Sequence, residues 1–187
     1  MFQIRIHGRG GQGVVTAAET LSVAGFKENQ HAQAFPSFGS ERMGAPVTSF
    51  CRLDDKEIRL REPVMTPNAL IIQDTTLLHQ VDLFQGLDTK YGYLIINTRK
   101  RYNELGIDEY TDHFLPHHIC TVAASELAQK HIGRPMPNIA LLGAFAGLTQ
   151  RVKLESLQQA VKEKFAGPIG EKNADVAAAA YDAILRN

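Results

Sequence analysis

Apolar and polar residues alternate from the first positions of the chain. Phe2-Gln3-Ile4-Arg5-Ile6-His7 has the two-residue period of a strand with one face on a core. Glycine-rich residues 8–13 follow, and Val14-Val15-Thr16-Ala17-Ala18 begins a stretch that predicts a helix from about Gly13 to Phe26. His31-Ala32-Gln33-Ala34-Phe35 reads as a second strand. Prolines and glycines between Pro36 and Pro46 forbid regular structure. Residues 47–53 read as a strand, Asp54-Asp55-Lys56 as a tight turn, and Glu57-Ile58-Arg59-Leu60 as the antiparallel partner of a hairpin. The apolar runs at 68–73 and 93–97 suit strands buried on both faces of a parallel sheet. Between them, residues 75–84 predict a short crossover helix closed by Gly86. His118-Ile119-Cys120-Thr121-Val122 is a further strand, followed by a helix over 123–131 that stops at Gly133.

The last third is helical. An apolar helix opens at Pro137-Asn138, Leu154, Leu157, Val161 and Phe165 recur at helical spacing, and residues 171–185 form a closing helix. Strands alternating with helices predict an α/β fold: a single layered domain over 1–187, with a mostly parallel mixed sheet, a β-hairpin and helices on both faces.

Candidate chemistry concentrates in the loops. Gly8, Gly10 and Gly13 match G-x-G-x-x-G between a strand and a helix, where uncapped amides favour an anion. A dinucleotide site also wants an acid at the end of the second strand. None stands there, since Glu28 precedes that strand, so NAD binding is disfavoured. The glycines serve either a phosphate cradle or close helix–sheet packing. The loop Ser37-Phe38-Gly39-Ser40-Glu41-Arg42-Met43-Gly44 is expected at the same sheet edge. Arg42 is suited to a phosphate or carboxylate, or to a partner subunit. Asn138 is placed to cap its helix or to bind a backbone group of a partner. His113, His117 and His118 lack a credible metal-ligand spacing, and nothing matches a nucleophile elbow, a Walker loop or a zinc motif.

Composition narrows the options. Lys plus Arg and Asp plus Glu balance at 20 each in 187 residues, which suggests neither nucleic acid nor an anionic membrane as partner. Cys51 and Cys120 read as reduced thiols, and two thiolates are too few for a four-cysteine cluster. With no secretory signal and no long apolar run, a cytoplasmic location is expected.

Gly8-Arg9-Gly10-Gly11-Gln12-Gly13 and Ala32-Gln33-Ala34-Phe35-Pro36-Ser37-Phe38-Gly39-x-Glu41-Arg42-x-Gly44-Ala45-Pro46 together resemble the gamma subunit of 2-oxoacid:ferredoxin oxidoreductases, especially the pyruvate type. Pro137-Asn138, Leu141-Leu142-Gly143-Ala144 and Glu171-Lys172-Asn173 extend the resemblance along the chain. Ser40 and Met43 depart from it, since the family often has a proline and a basic residue there. The resemblance implies a division of labour in which alpha and beta subunits hold thiamine diphosphate and magnesium. A ferredoxin-like delta subunit carries the 4Fe-4S clusters, ferredoxin accepts the electrons, and coenzyme A takes the acyl group. This chain then binds no cofactor by itself. Residues Gly8, Arg9, Gly10, Gly11, Gln12, Gly13, Ser37 and Arg42 are expected at coenzyme A or at a subunit junction. A stand-alone NAD or flavin oxidoreductase and a pure interaction module are the other readings. A homodimer of the isolated chain is compatible with apolar surface meant for partners.

Overall fold

A computed structural model describes residues 1–37 and 43–186. Among these, one sheet of six strands organises the chain: β1 (Phe2–Arg9), β2 (His31–Pro36), β3 (Pro46–Asp54), β4 (Ala69–Ile72), β5 (Tyr93–Asn97) and β6 (Ile119–Val122), in the order β2-β3-β1-β4-β5-β6. β1, β4, β5 and β6 are parallel neighbours, and β3 lies antiparallel between β1 and β2. Two reversals restore direction, so β2 runs the same way as β1. The carboxyl ends of β1, β2, β4, β5 and β6 therefore share one edge, the edge at which α/β sheets gather their ligands.

The hairpin differs from the expected one. Residues 57–60 form no strand, because both edges of β3 are already taken by β1 and β2. That segment instead crosses a sheet face, where Gln33 Nε2 donates to the Leu60 carbonyl at 2.9 Å and Arg52 Nη2 to the Glu62 carbonyl at 2.6 Å. The antiparallel hairpin of this fold is β2–β3. The expected crossover helix over 75–84 is likewise reduced to a 3-10 turn at Thr75–His79. Leu77 and Leu83 are both buried. Six helical residues would set them about 120° apart around the axis, at or beyond the edges of one apolar stripe; an irregular path buries both.

Helical segments cover the two faces unequally. One face carries α1 (Val14–Lys27), α3 (Ala124–Ile132), α4 (Asn138–Thr149), α5 (Leu154–Lys164) and α6 (Pro168–Leu185), packed on Ile4, Ile6, Ile71 and Ile95. The opposite face, with Leu70, Ile72, Leu94 and Ile96, is covered by α2 (Asp108–Thr111), 3-10 turns and loops. Two arginines organise that second face through backbone carbonyls. Arg5 Nη2 donates to Leu83 and Gln85, each at 2.7 Å, and Arg52 is 1% exposed, bonded also to Gln3 and Gln33. A guanidinium fork can satisfy several loop carbonyls at once, which lets irregular backbone be buried.

α4 is buried along nearly its whole length, between the sheet and α6. A helix apolar all round is a core helix. Its Gly143 allows the backbone of α6 to approach, since a Cβ there would collide with the Ala177 carbonyl. Gly143→Ala is expected to destabilise the fold by about 2 kcal/mol or more. Denaturant unfolding checks this, and a variant within about 0.5 kcal/mol of the parent would contradict the close approach.

Candidate functional site

Gly8 belongs to β1 rather than to the loop after it. A Cβ at that position would stand 2.7 Å from Val14 Cγ2 and 3.0 Å from Gln12 Oε1, so the strand passes under the start of α1 with no room for a side chain. The chain then turns through Gly11 and Gly13, at φ 92° and 70°, conformations that L side chains rarely adopt. Gly13 precedes α1, which has no side-chain cap and no acidic residue in its first turn. The amides of Val14, Val15 and Thr16 have no acceptor within the helix, so the site carries the positive end of an uncompensated helix dipole.

Asp74, just beyond β4, braces this loop. Its carboxylate accepts from Gln12 Nε2 at 2.8 Å and from the Thr76 amide at 3.0 Å, with Arg9 Nε 3.4 Å away. Burial raises the Asp74 pKa, but the hydrogen bonds from Thr76 and Gln12 and the Arg9 charge outweigh it and hold the carboxyl below its usual range. Gln12 closes the turn by accepting the Arg9 amide at 2.8 Å. Arg9 is fully engaged: it donates to Thr76 Oγ1, to Gln80 Oε1 at 2.8 Å and to the Gly44 carbonyl at 3.0 Å. Residues 43–46 are laced to the same loop, Gly10 N to the Ala45 carbonyl at 2.9 Å and Gly44 N to the Gly10 carbonyl at 3.1 Å. The glycine loop and residues 43–46 thus form one unit at one sheet edge.

Beside this unit opens a cleft of about 690 Å³. Arg9, Gly10, Gly11 and Gly13 line it, whereas Gly8 lies beneath the loop and Gln12 turns inward to Asp74. Ser37 stands exposed at the same edge, its amide bonded to the Thr48 carbonyl at 2.8 Å, and does not line the cleft. Arg42 lies outside the described residues. The far wall comes from residues that motif reading did not assign to a site: Arg134 and Met136 before α4, Asn138 at its start, and Lys172 and Asn173 in α6. Asn138 donates from Nδ2 to the Gly13 carbonyl at 3.3 Å, so the backbone group it binds belongs to this chain's own glycine loop and not to a partner. The signal was available, since Pro137-Asn138 and Lys172-Asn173 fall within the segments that carry the family resemblance; only folding brings them opposite the glycines.

Other candidates are inert. Burial pushes the Cys51 thiol far up and the Cys120 thiol up to about 12, so neither supplies a thiolate near neutral pH. They sit on β3 and β6, with β1, β4 and β5 between them, an arrangement that does not fit cluster ligation. Among the described residues no group of three or more His, Cys, Asp or Glu is arranged to hold a metal ion. His118 stacks on Tyr93 with centroids 4.2 Å apart.

With this geometry in view, the relationship to known proteins is direct. The family model for pyruvate ferredoxin/flavodoxin oxidoreductase matches residues 3–183. Pyruvate synthase subunit PorC of Methanocaldococcus jannaschii is 45% identical over 186 residues, covering 100% of this chain and 98% of its own. The pyruvate/ketoisovalerate oxidoreductases common subunit gamma of Thermococcus kodakarensis is 46% identical over 182 residues, covering 97% of this chain and 96% of its own. The crystal structure of pyruvate oxidoreductase subunit PORC from Thermotoga maritima superposes with a TM-score of 0.82 at 31% identity, covering 97% of this chain and 95% of that one. The chain belongs to the pyruvate ferredoxin/flavodoxin oxidoreductase family.

His7, the last side chain of β1 before the glycine loop, is buried against Arg5 and meets Thr48 Oγ1 at 3.1 Å. Burial first, and the Arg5 charge second, lower its pKa to about 3. The unfolded chain takes up this proton below about pH 6.5 while the folded chain does not. Stability is therefore full above that pH and falls as pH decreases toward 3, by about 2 kcal/mol between pH 6.5 and 5. Denaturant titrations across that range are expected to show the slope, and His7→Asn to flatten it; an unchanged slope in the variant would assign the effect elsewhere.

Proposed function

We propose that this chain is the gamma subunit of a multi-subunit 2-oxoacid:ferredoxin oxidoreductase that acts on pyruvate. The match of nearly the entire chain to that family, with relatives named as PorC or common gamma subunits at over 40% identity, carries the reading. The complex decarboxylates the oxoacid oxidatively, passes electrons to ferredoxin and delivers the acyl group to coenzyme A. Alpha, beta and delta subunits are the partners. Thiamine diphosphate, magnesium and the 4Fe-4S clusters reside on them, in keeping with the two widely separated, protonated thiols of this chain.

The contribution of this chain is geometric. Residues 8–13, Ser37 and Arg42 lie beside coenzyme A or at the junction where a partner closes over it, and Asp74, Gln12 and Arg9 hold the glycine loop in shape. A rigid loop of backbone donors holds an anion without reorganising, which favours productive placement of the acyl acceptor. No described helix is long and apolar enough to cross a membrane, and a cytoplasmic complex accords with the reading.

Affinity-tagging the chain in its native host and purifying it anaerobically tests this. Alpha-, beta- and delta-type chains are expected to copurify, with pyruvate- and coenzyme A-dependent ferredoxin reduction by the complex and none by the separated chain. Recovery of the chain without companions, or turnover by the chain in isolation, would overturn the reading.

A further inference from the structure

At the end of the sheet farthest from β2, strand β6 has a neighbour on one side only. The Thr98 amide donates to the Val122 carbonyl at 2.9 Å, which in a parallel ladder turns the backbone groups of Val122 and Cys120 toward β5. The N–H and C=O groups of Ile119 and Thr121 therefore face away from the sheet, and no described residue takes them. Soluble proteins blunt such edges with charge, proline or a covering segment. β6 contains no charged residue and no proline, whereas β2, the other edge, ends in Pro36.

A groove of about 820 Å³ opens along this edge, with Ile119, Cys120 and Thr121 in its lining. Its two walls differ in character. On the side of the helical face stand Leu148 from the end of α4 and Ile184 and Leu185 from the end of α6. On the side of the opposite face stand Arg101, Tyr102 and His117. Successive side chains of a strand point to opposite faces. A strand laid against β6 would thus present alternate residues to an apolar wall and to a cationic one.

The charge of the second wall is uncompensated. Arg101 is exposed and forms no ion pair with a described carboxylate. Glu104, three residues on, instead accepts from the Arg101 backbone amide at 2.8 Å. Among the described residues no Asp or Glu lines the groove. A second copy of the chain is a poor occupant, since β6 paired with itself would set two Arg101 walls on one face with no acid between them.

We propose that this groove receives an extended segment of another polypeptide, which adds to β6 as a seventh strand. Its apolar side chains pack on Leu148, Ile184 and Leu185, and acidic side chains alternating with them meet Arg101. Backbone bonds to Ile119 and Thr121 supply affinity, and the two walls supply sequence preference. Strands β4 and β5 separate this site from the glycine loop after β1, so the inference does not depend on what fills the cleft there.

Calorimetry of the full chain with a blocked hexapeptide of alternating valine and glutamate tests this, beside the same peptide with lysine for glutamate. The glutamate peptide is expected to bind about tenfold or more tightly than the lysine peptide, and to slow amide exchange at Ile119 and Thr121. Thr121→Pro removes an outward N–H that the ladder with β5 does not use, and Arg101→Glu reverses the charge of the wall. Each is expected to weaken binding about tenfold, and Arg101→Glu, at an exposed position, decides the matter should the proline variant fail to fold. No binding of the glutamate peptide, equal binding of both peptides, or binding unmoved by Arg101→Glu overturns the inference. A dimer in sedimentation that Thr121→Pro disperses would make a second copy the occupant, and overturns it as well.

Discussion

A helix surrounded by protein must meet its neighbours at backbone distance somewhere, and α4 does so at Gly143 against α6. The rest of the molecule follows from that approach. With α6 held close, α1 and α4 lie on one side of the sheet and α5 and α6 pack over them as a continuous apolar layer. The amino end of α4 then stops directly at the glycine loop, where Asn138 binds the Gly13 carbonyl. Gly13 must lack a side chain for two reasons at once: its positive φ, and the Asn138 amide that occupies the space a Cβ would fill. Core packing and site geometry are thus joined through a single contact.

The site is built on economy of charge. Arg5 spends its donors on backbone carbonyls, while Arg9 and Arg52 each combine one carbonyl with side-chain acceptors, fixing loops that regular structure leaves unsupported. Asp74 compensates Arg9 and, with Gln12, holds the turn between β1 and α1. A loop preformed in this way has no backbone left to order.

The strand order explains why a nucleotide-type motif here lacks the other parts of a dinucleotide site. β3 lies between β1 and β2, so the strand that follows α1 is one place removed from β1. The ribose-binding acid of a dinucleotide fold would have no neighbour to serve.

Much of the fold was legible in local pattern. The alternation in residues 2–7, the continuous apolar runs of β4 and β5 and the punctuation by Gly133 and Pro137 each reflect forces acting within a few residues. The glycine motif and the Pro36–Pro46 region were recognisable for the same reason, since backbone conformation limits which residues can stand there. Residues 57–60 misled because their alternation cannot reveal that β3 already has neighbours on both edges. The 75–84 segment misled because a sheet face can bury side chains that no single helix face would gather. The fate of Arg9 and the meeting of Arg134, Lys172, Asn138 and Asn173 across the cleft lay wholly in the tertiary structure. The Asn138–Gly13 contact joins residues 125 positions apart in the chain, and only the order of the strands and the packing of α4 against α6 bring them together.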